Sequence, residues 1–451
     1  MSKNRLHRRK FLHVAAAGLA ASPFSILESA ATQKKYRTAI IGTGWWGMNI
    51  LGEAMASREC KVVGMCDVDQ RFLDPAAERV QKTTGDLPKK YRDYRELLES
   101  EKPEIVIVAT PDHWHPLQTI AAVRAGAHVY VEKPIGHTIQ EGRAMVNAAR
   151  ETQRVVQVGT HRRISPHNVS GFEFIRSGKV GKIGMVRAFV NYGGGREQPM
   201  ANSEPPKELD WDMWCGPAPK RHYCSHFPSQ WGRGIHPRGF RHFLDYANGT
   251  IGDWGIHWMD QIVWILEEKW PKKIFSTGGR NIAGPSIYNE KEQTSDSPDH
   301  QVATFEFENF TAVWENRRFG ANNAAKGEEV GCYFYGTEGI FHMGWRNGWV
   351  FYPANSKSAP IREKAQLHDP DGQNIKEHWA DFLQAIKTGR KPVSDIETSH
   401  YATNMSLLGM LSYKLGRGLE WDGAREKVVN DPEANKGLRR EYRGEWEYPE
   451  V

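Results

Sequence analysis

The sequence predicts an α/β protein in which a doubly wound parallel sheet is followed by a second α/β domain on a large, open, mixed and mainly antiparallel sheet. Three observations predict it. Up to about residue 160, short β-branched runs alternate with helical patterns of ten or so residues, as in a parallel sheet covered on both faces. The first of these runs ends in a glycine-rich turn that opens a helix. After Arg163 the pattern becomes apolar/polar alternation, which gives a strand one buried and one freer face.

The elements follow in order. Thr38 to Ile41 is an apolar strand running into Gly42-Thr43-Gly44-Trp45-Trp46-Gly47, with a helix to about Ser57. Lys61 to Cys66 is a second strand closed by Asp67, and further strands are expected at Ile105 to Ala109, His128 to Val131 and Val155 to Val158. Pro116 to Ala125 and Ile139 to Arg150 are the helices between them. Alternating strands follow at Ile183 to Tyr192, Val302 to Phe307, Ala312 to Arg317, Val330 to Tyr335 and Trp345 to Tyr352. The Gly/Pro/Trp-rich stretch Gly193 to Asn248 is too long for an ordinary connection and reads as a functional insertion. Ile375 to Ile386 and Ile396 to Leu415 read as helices. The expected divisions are a leader over 1–31, a first domain over 36–160, a second domain over 161–425 and a tail over 426–451.

The formal charge is +6, but residues 1–31 hold five Lys/Arg against one Glu, and the remainder balances at 55 basic to 53 acidic residues. Nucleic-acid binding needs a concentrated basic face, so the expected partner is a small molecule and no nucleic acid. The 16 Trp suit the C–H faces of sugars, although most single Trp serve a core. His7-Arg8-Arg9-Lys10-Phe11-Leu12 places a twin arginine before a short Ala/Gly-rich stretch, and Ser29-Ala30-Ala31 resembles a cleavage site. The reading is export by the twin-arginine machinery to the periplasm or beyond. Cys60, Cys66, Cys215, Cys224 and Cys332 have no structural-zinc spacing. A Cys215–Cys224 bridge is an option in an oxidising compartment; Cys60 and Cys66, flanking a core strand, read as buried and inert.

The glycines at 42, 44 and 47 follow a strand and open a helix, the context in which they hold a dinucleotide pyrophosphate against the helix N-terminus. Asp67, at the end of the second strand, is placed to bond a ribose 2′-hydroxyl and repel a 2′-phosphate. This favours NAD, with NADP the alternative because Arg71 follows closely. Lys133, in Glu132-Lys133-Pro134, leaves a strand at its carboxyl end and is aimed at the same crevice. Asp253 and His257 share a helical face at a spacing of four, with Asp260 beyond. His257 reads equally as a satisfied core histidine, and the spacing of these three supports no metal site.

Together, Gly42 to Gly47, Ala109-Thr110-Pro111-Asp112-His113-Trp114-His115, Glu132-Lys133-Pro134, Asp210 to Pro217 and the Asp253/His257 spacing resemble the Gfo/Idh/MocA oxidoreductases from about Tyr36 to Trp421. The resemblance implies an N-terminal Rossmann domain and a C-terminal domain whose sheet joins a homo-oligomer. It implies that Trp45, Trp46, Thr110, Pro111, His115 and Glu132 join the glycines, Asp67 and Lys133 around the cofactor. Lys133, Asp253 and His257 take the catalytic places: His257 as general acid/base, Lys133 as the cation steadying an alkoxide, and Asp253 as the group orienting hydroxyl and imidazole. The implied reaction is NAD(P)-dependent oxidation of a secondary hydroxyl on a sugar or glycoside; export, which takes the protein away from the cytoplasmic nicotinamide pool, adds that the cofactor is tightly bound and recycled in place. The alternative is an NAD-dependent glycosidase working by oxidation, elimination and re-reduction. The insertion and the export signal resemble a secreted subgroup.

Overall fold

The computed structural model describes residues 35–225, 234–321, 328–368 and 372–451. The export segment expected over 1–31 lies outside the described residues.

Six strands form the first sheet: β1 (Tyr36–Ile41), β2 (Cys60–Cys66), β3 (Lys89–Tyr91), β4 (Ile105–Val108), β5 (His128–Val131) and β6 (Val156–Val158). Their order is β3-β2-β1-β4-β5-β6, every pairing is parallel, and β4 and β5 are buried along most of their length because helices cover both faces. The order reverses between β1 and β4, so the strand ends there splay apart and leave a crevice at their carboxyl side. One covering helix comes from far along the chain. Ile375–Thr388 turns Ile375, Trp379, Phe382 and Leu383 into a core that includes Ile40, Met55, Ile107 and Tyr130.

The second sheet uses β7 (Ile183–Asn191), β9 (Lys273–Gly279), β11 (His300–Glu306), β12 (Thr311–Arg317), β13 (Val330–Gly336), β14 (Gly339–Gly344), β15 (Trp349–Pro353), β16 (Ile361–Glu363), β17 (Leu419–Asp422) and β18 (Lys427–Val428). A small separate pair joins β8 (Met200–Ala201) to β10 (Glu292–Gln293). The ten-stranded order is β16-β15-β14-β13-β7-β12-β11-β9-β17-β18. β7 and β12 are parallel and the other pairings antiparallel, which is the mixed, mainly antiparallel sheet that the alternating pattern predicts. One face packs Ala188, Ala303, Phe305, Trp314 and Phe334 with residues of the helices Ile256–Leu266 and Ile396–Leu415. On the face away from these, Met185, Phe275, Val302 and Ile340 remain exposed.

The insertion has a core of its own, in which Trp211, Trp214, Tyr223, Ile235, Phe240 and Tyr246 cluster behind the short helix Trp211–Cys215. All five cysteines are buried free thiols, so Cys215 and Cys224 are not bridged; Cys215 faces the Tyr246 hydroxyl instead. The last residues return to the first domain. Arg440 and Tyr442 bond the buried Glu141 carboxylate, and Trp446 packs edge-on against Trp114. No helix among the described residues is long and apolar enough to cross a membrane.

Candidate active site

The crevice above the β1/β4 switch point opens into a cleft of about 860 Å³ lined by both domains and the insertion. Its glycine turn is fixed by packing. Gly42 has φ +94°, and a Cβ there would lie 2.6 Å from the Ala109 carbonyl oxygen. A Cβ at Gly47 would lie 2.2 Å from the Gly42 carbonyl oxygen, so this glycine lets the helix Trp45–Ala56 sit against the strand. Gly44 differs: nothing lies within 4 Å of a Cβ placed on it, and it caps the helix without a side-chain partner for the first amides. Helix-N-terminal amides without a side-chain cap, beside open space, are what a dinucleotide pyrophosphate requires. Asp67 closes this end, its carboxylate accepting from the Thr43 amide (2.7 Å), the Thr43 hydroxyl (2.9 Å) and the Asp69 amide (3.0 Å). Burial raises its pKa against these bonds. Arg71 is held by Asp69 at 2.6 and 2.9 Å, away from the role of a 2′-phosphate partner. The residues present therefore fit NAD.

Trp45, Trp46, Thr110, Pro111, Glu132 and Lys133 all line the cleft. Glu132 is buried, its pKa pushed up to about 7 by that burial, and it accepts from the Lys133 amide. His115 is the correction. Its two ring nitrogens lie 2.7 Å from the Pro134 carbonyl oxygen and 2.8 Å from that of Thr110, beneath the cleft and not among its lining residues. Burial pushes its pKa down to about 4, so the neutral ring donates its single N–H to one of these carbonyls and packs beside the other, a structural place beneath Thr110 and Lys133.

At the other end Lys133 Nζ donates to Asp253 Oδ1 (2.7 Å) and to the Asp253 carbonyl (2.8 Å). Arg241 Nε donates to the same Oδ1 at 3.1 Å. Burial would raise the Asp253 pKa, but the two cations outweigh it and hold the carboxyl well below the usual range. Asp253 makes no hydrogen bond to His257, so its expected imidazole-orienting role is replaced by anchoring Lys133 and Arg241. The spacing predicts one regular helix, whereas residues Ile251–Gly255 form a π-turn before the α-helix Ile256–Leu266. Such turns concentrate at functional sites. Asp260 sits elsewhere, bonded through both oxygens to Arg163 at 2.8 Å.

His257 lines the cleft, 7% exposed, with Trp254, Trp345 and His161 around its ring at centroid distances of 5.7, 5.0 and 5.5 Å. Burial, then Lys133, lowers its pKa well below the ordinary value, so the imidazole is neutral at pH 7. Neither ring nitrogen is hydrogen-bonded among the described residues, which is not the environment of a satisfied core histidine.

Sequence reasoning missed Arg241, Asp112, Tyr192, Trp254 and Trp345 as cleft residues. Arg241 lies in the insertion, where no periodicity marks it. Asp112 stood within a quoted motif; burial pushes its carboxyl up to about 7, a signal that only the fold creates.

Comparison with known proteins agrees with this two-domain fold. Residues 36–160 match the model described as "Oxidoreductase family, NAD-binding Rossmann fold". Residues 179–275 and 338–448 match "Oxidoreductase family, C-terminal alpha/beta domain". A glycosyl hydrolase family 109 protein of Stenotrophomonas maltophilia is 35% identical over 142 residues, 30% of this chain and 31% of its own length. Glycosyl hydrolase family 109 protein 1 of Akkermansia muciniphila is 28% identical over 153 residues, 33% and 32% of the two chains. The matches thus span about a third of these relatives. Among solved structures, levoglucosan dehydrogenase in complex with NADH and levoglucosan superposes with a TM-score of 0.65 at 18% identity, covering 86% of this chain and 99% of that one. The aldose-aldose oxidoreductase of Caulobacter crescentus gives 0.62 at 17%, covering 86% and 100%. With both of its domains matched by the models of one family, and the cleft between them built to hold NAD, this chain belongs to the Gfo/Idh/MocA oxidoreductases.

Proposed function

We propose that the protein uses bound NAD to oxidise a secondary hydroxyl of a sugar or glycoside, and that the cofactor is retained and recycled in place. The observation that carries the proposal is the convergence of Lys133, Asp253 and His257 in the cleft that begins at the glycine turn. NAD, when bound, supplies the hydride acceptor. The chain's own residues manage the proton and the charge. His257, neutral and facing the cleft, takes the hydroxyl proton. Lys133 stabilises the negative charge that develops on that oxygen, and Asp253 and Arg241 hold Lys133 in place. Trp254, Trp345 and Tyr192 provide apolar faces for the ring.

The names of the glycosyl hydrolase family 109 relatives favour a second reading, net hydrolysis of a glycoside. In that cycle the oxidised carbon acidifies its neighbour, a base removes that proton, the glycosidic group leaves, water adds, and reduction restores the alcohol. Mass spectrometry of cofactor released from the folded protein, followed by a glycoside panel, tests both readings. Keto-sugar without released aglycone supports the oxidoreductase, aglycone with regenerated alcohol the hydrolase, and no dinucleotide overturns both.

The same proposal places the mature protein outside the cytoplasm after twin-arginine export, in the secreted subgroup. Two copies would associate through the sheet face bearing Met185, Phe275, Val302 and Ile340. Sedimentation of the mature chain tests the association, and a monomer at micromolar concentration would refute it.

A further inference from the structure

A buried neutral imidazole has one donor and one acceptor nitrogen, and both ordinarily find partners. In His257 neither is hydrogen-bonded among the described residues, but Nε2 opens on the cleft whereas Nδ1 does not. Its Nδ1 is closed off from solvent with no partner among the described residues. The Nε2 of His161 is in the same state, and His161 is only 2% exposed. The two rings face one another at a centroid distance of 5.5 Å and an interplanar angle of 58°. Trp345 packs against both, at 5.0 Å from His257 and 6.2 Å from His161. The two unsatisfied nitrogens therefore sit on neighbouring rings that pack against one tryptophan in the wall of the cleft.

We propose that His161 is a positioning residue for His257, pairing its Nε2 with His257 Nδ1–H through one bridging water and so leaving His257 Nε2 bare toward the cleft. The chemistry of His161 selects this direction. The polar backbone group beside its ring is that of Gly159, which favours a proton on the ring. The Gly159 amide is already given to the Val131 carbonyl, so what Gly159 offers is its own carbonyl. His161 therefore places its single proton on the nitrogen toward Gly159 and keeps a lone pair on Nε2. A water holding that lone pair presents its oxygen to a donor, and the donor available is His257 Nδ1–H. His257 then carries its own lone pair on Nε2, as a base acting on a cleft-bound hydroxyl requires. The charged groups facing His257 are Lys133, Asp253 and Arg162; His161 faces Arg162 and the imidazole of His378, which burial keeps neutral. None of these is hydrogen-bonded to either unsatisfied nitrogen.

The inference rests on His257 being the base. The experiment is nitrogen NMR of the full protein with 15N-labelled histidine, using His257→Ala to assign the His257 signals, alongside kinetics of His161→Phe and His161→Gln. The expected spectrum has His257 protonated at Nδ1 and bare at Nε2. His161→Phe keeps ring shape but offers no acceptor, and kcat should fall about 10- to 100-fold, the usual effect of removing the outer partner of a functional imidazole. KM and NAD content should stay near wild type. His161→Gln restores an acceptor oxygen and should recover most of the rate. A proton on His257 Nε2 in the wild-type protein, or wild-type turnover by His161→Phe, overturns the inference; the first holds even if the variants fail to fold. A His257→Ala enzyme that still turns over would instead remove the base assignment, while the nitrogen shifts would still report whether the pair exists.

Discussion

Replacing the three glycines of the turn one at a time separates what the turn does for the fold from what it does for the cofactor. At Gly44 the backbone is extended (φ −63°, ψ 176°), a conformation open to alanine, and an added methyl meets nothing within 4 Å. Gly44→Ala restricts the unfolded chain, worth about 0.4–1 kcal/mol, and loses a few tenths as a poorer helix cap. Its stability should stay within about 1 kcal/mol of wild type. The methyl nevertheless fills the approach to the helix amides that no side chain caps. Losing one charge-assisted hydrogen bond there costs about 1.5–3 kcal/mol, or roughly 10- to 100-fold in NAD affinity. Gly47→Ala drives its methyl to 2.2 Å from a backbone oxygen that cannot step aside, and overpacking of that kind costs about 3 kcal/mol or more. At about 2–4 °C per kcal/mol in large domains, the melting temperature should fall by about 6–12 °C. Differential scanning calorimetry and NAD titration of refolded, cofactor-stripped protein read the two effects. A Gly44→Ala protein that binds NAD like wild type, or that melts as low as Gly47→Ala, would refute the division of labour.

Lys133→Met should lower turnover by about 10²–10³-fold, as the loss of one charge-stabilising donor does, with NAD still bound on gel filtration. His257→Ala should cost about 10²–10⁴-fold while leaving the cofactor in place; an unstable protein with full activity per folded molecule would return His257 to the core. Asp253 raises the His257 pKa, so Asp253→Asn should move the acid limb of the kcat profile to lower pH, and an upward shift in a stopped-flow pH series would contradict the geometry. Because burial and Lys133 depress His257, the wild-type acid limb itself should lie below pH 6.5, the proton-free form persisting as pH falls until the lowered pKa is reached. Arg8→Lys with Arg9→Lys should hold the protein in the cytoplasm with unchanged specific activity; normal recovery outside it would mean the segment is not a twin-arginine signal.

The parallel sheet was legible because its strands are buried on both faces and read as unbroken apolar runs; the predicted His128 to Val131 and the observed β5 coincide. Ile396 to Leu415 was equally plain, a twenty-residue helix opened by Asp395 and stopped by Gly416. Other features depend on contacts no local pattern encodes. β9 and β14 escaped notice because Lys273–Gly279 and Gly339–Gly344 carry glycines and little alternation. His115 differs from the expectation because a motif gives a residue's neighbourhood but not the direction of its ring, and here the ring lies between two backbone carbonyls, one of which takes its N–H. Arg241 and the unpaired nitrogen of His257 follow from how the insertion and the π-turn fold over the cleft.

The helix Ile375–Thr388 makes the first domain a late product of synthesis. Ile40, Ile107 and Tyr130 leave the ribosome more than two hundred residues before Trp379 and Phe382 arrive to cover them. Until then the nascent sheet has an uncovered apolar wall, and residues 36–160 expressed alone would keep it, a surface open to chaperones and to aggregation. Truncations placed at the apparent end of the nucleotide-binding domain will therefore test an unfinished core, whereas restoring the distant helix as a separate peptide should rescue solubility in trans.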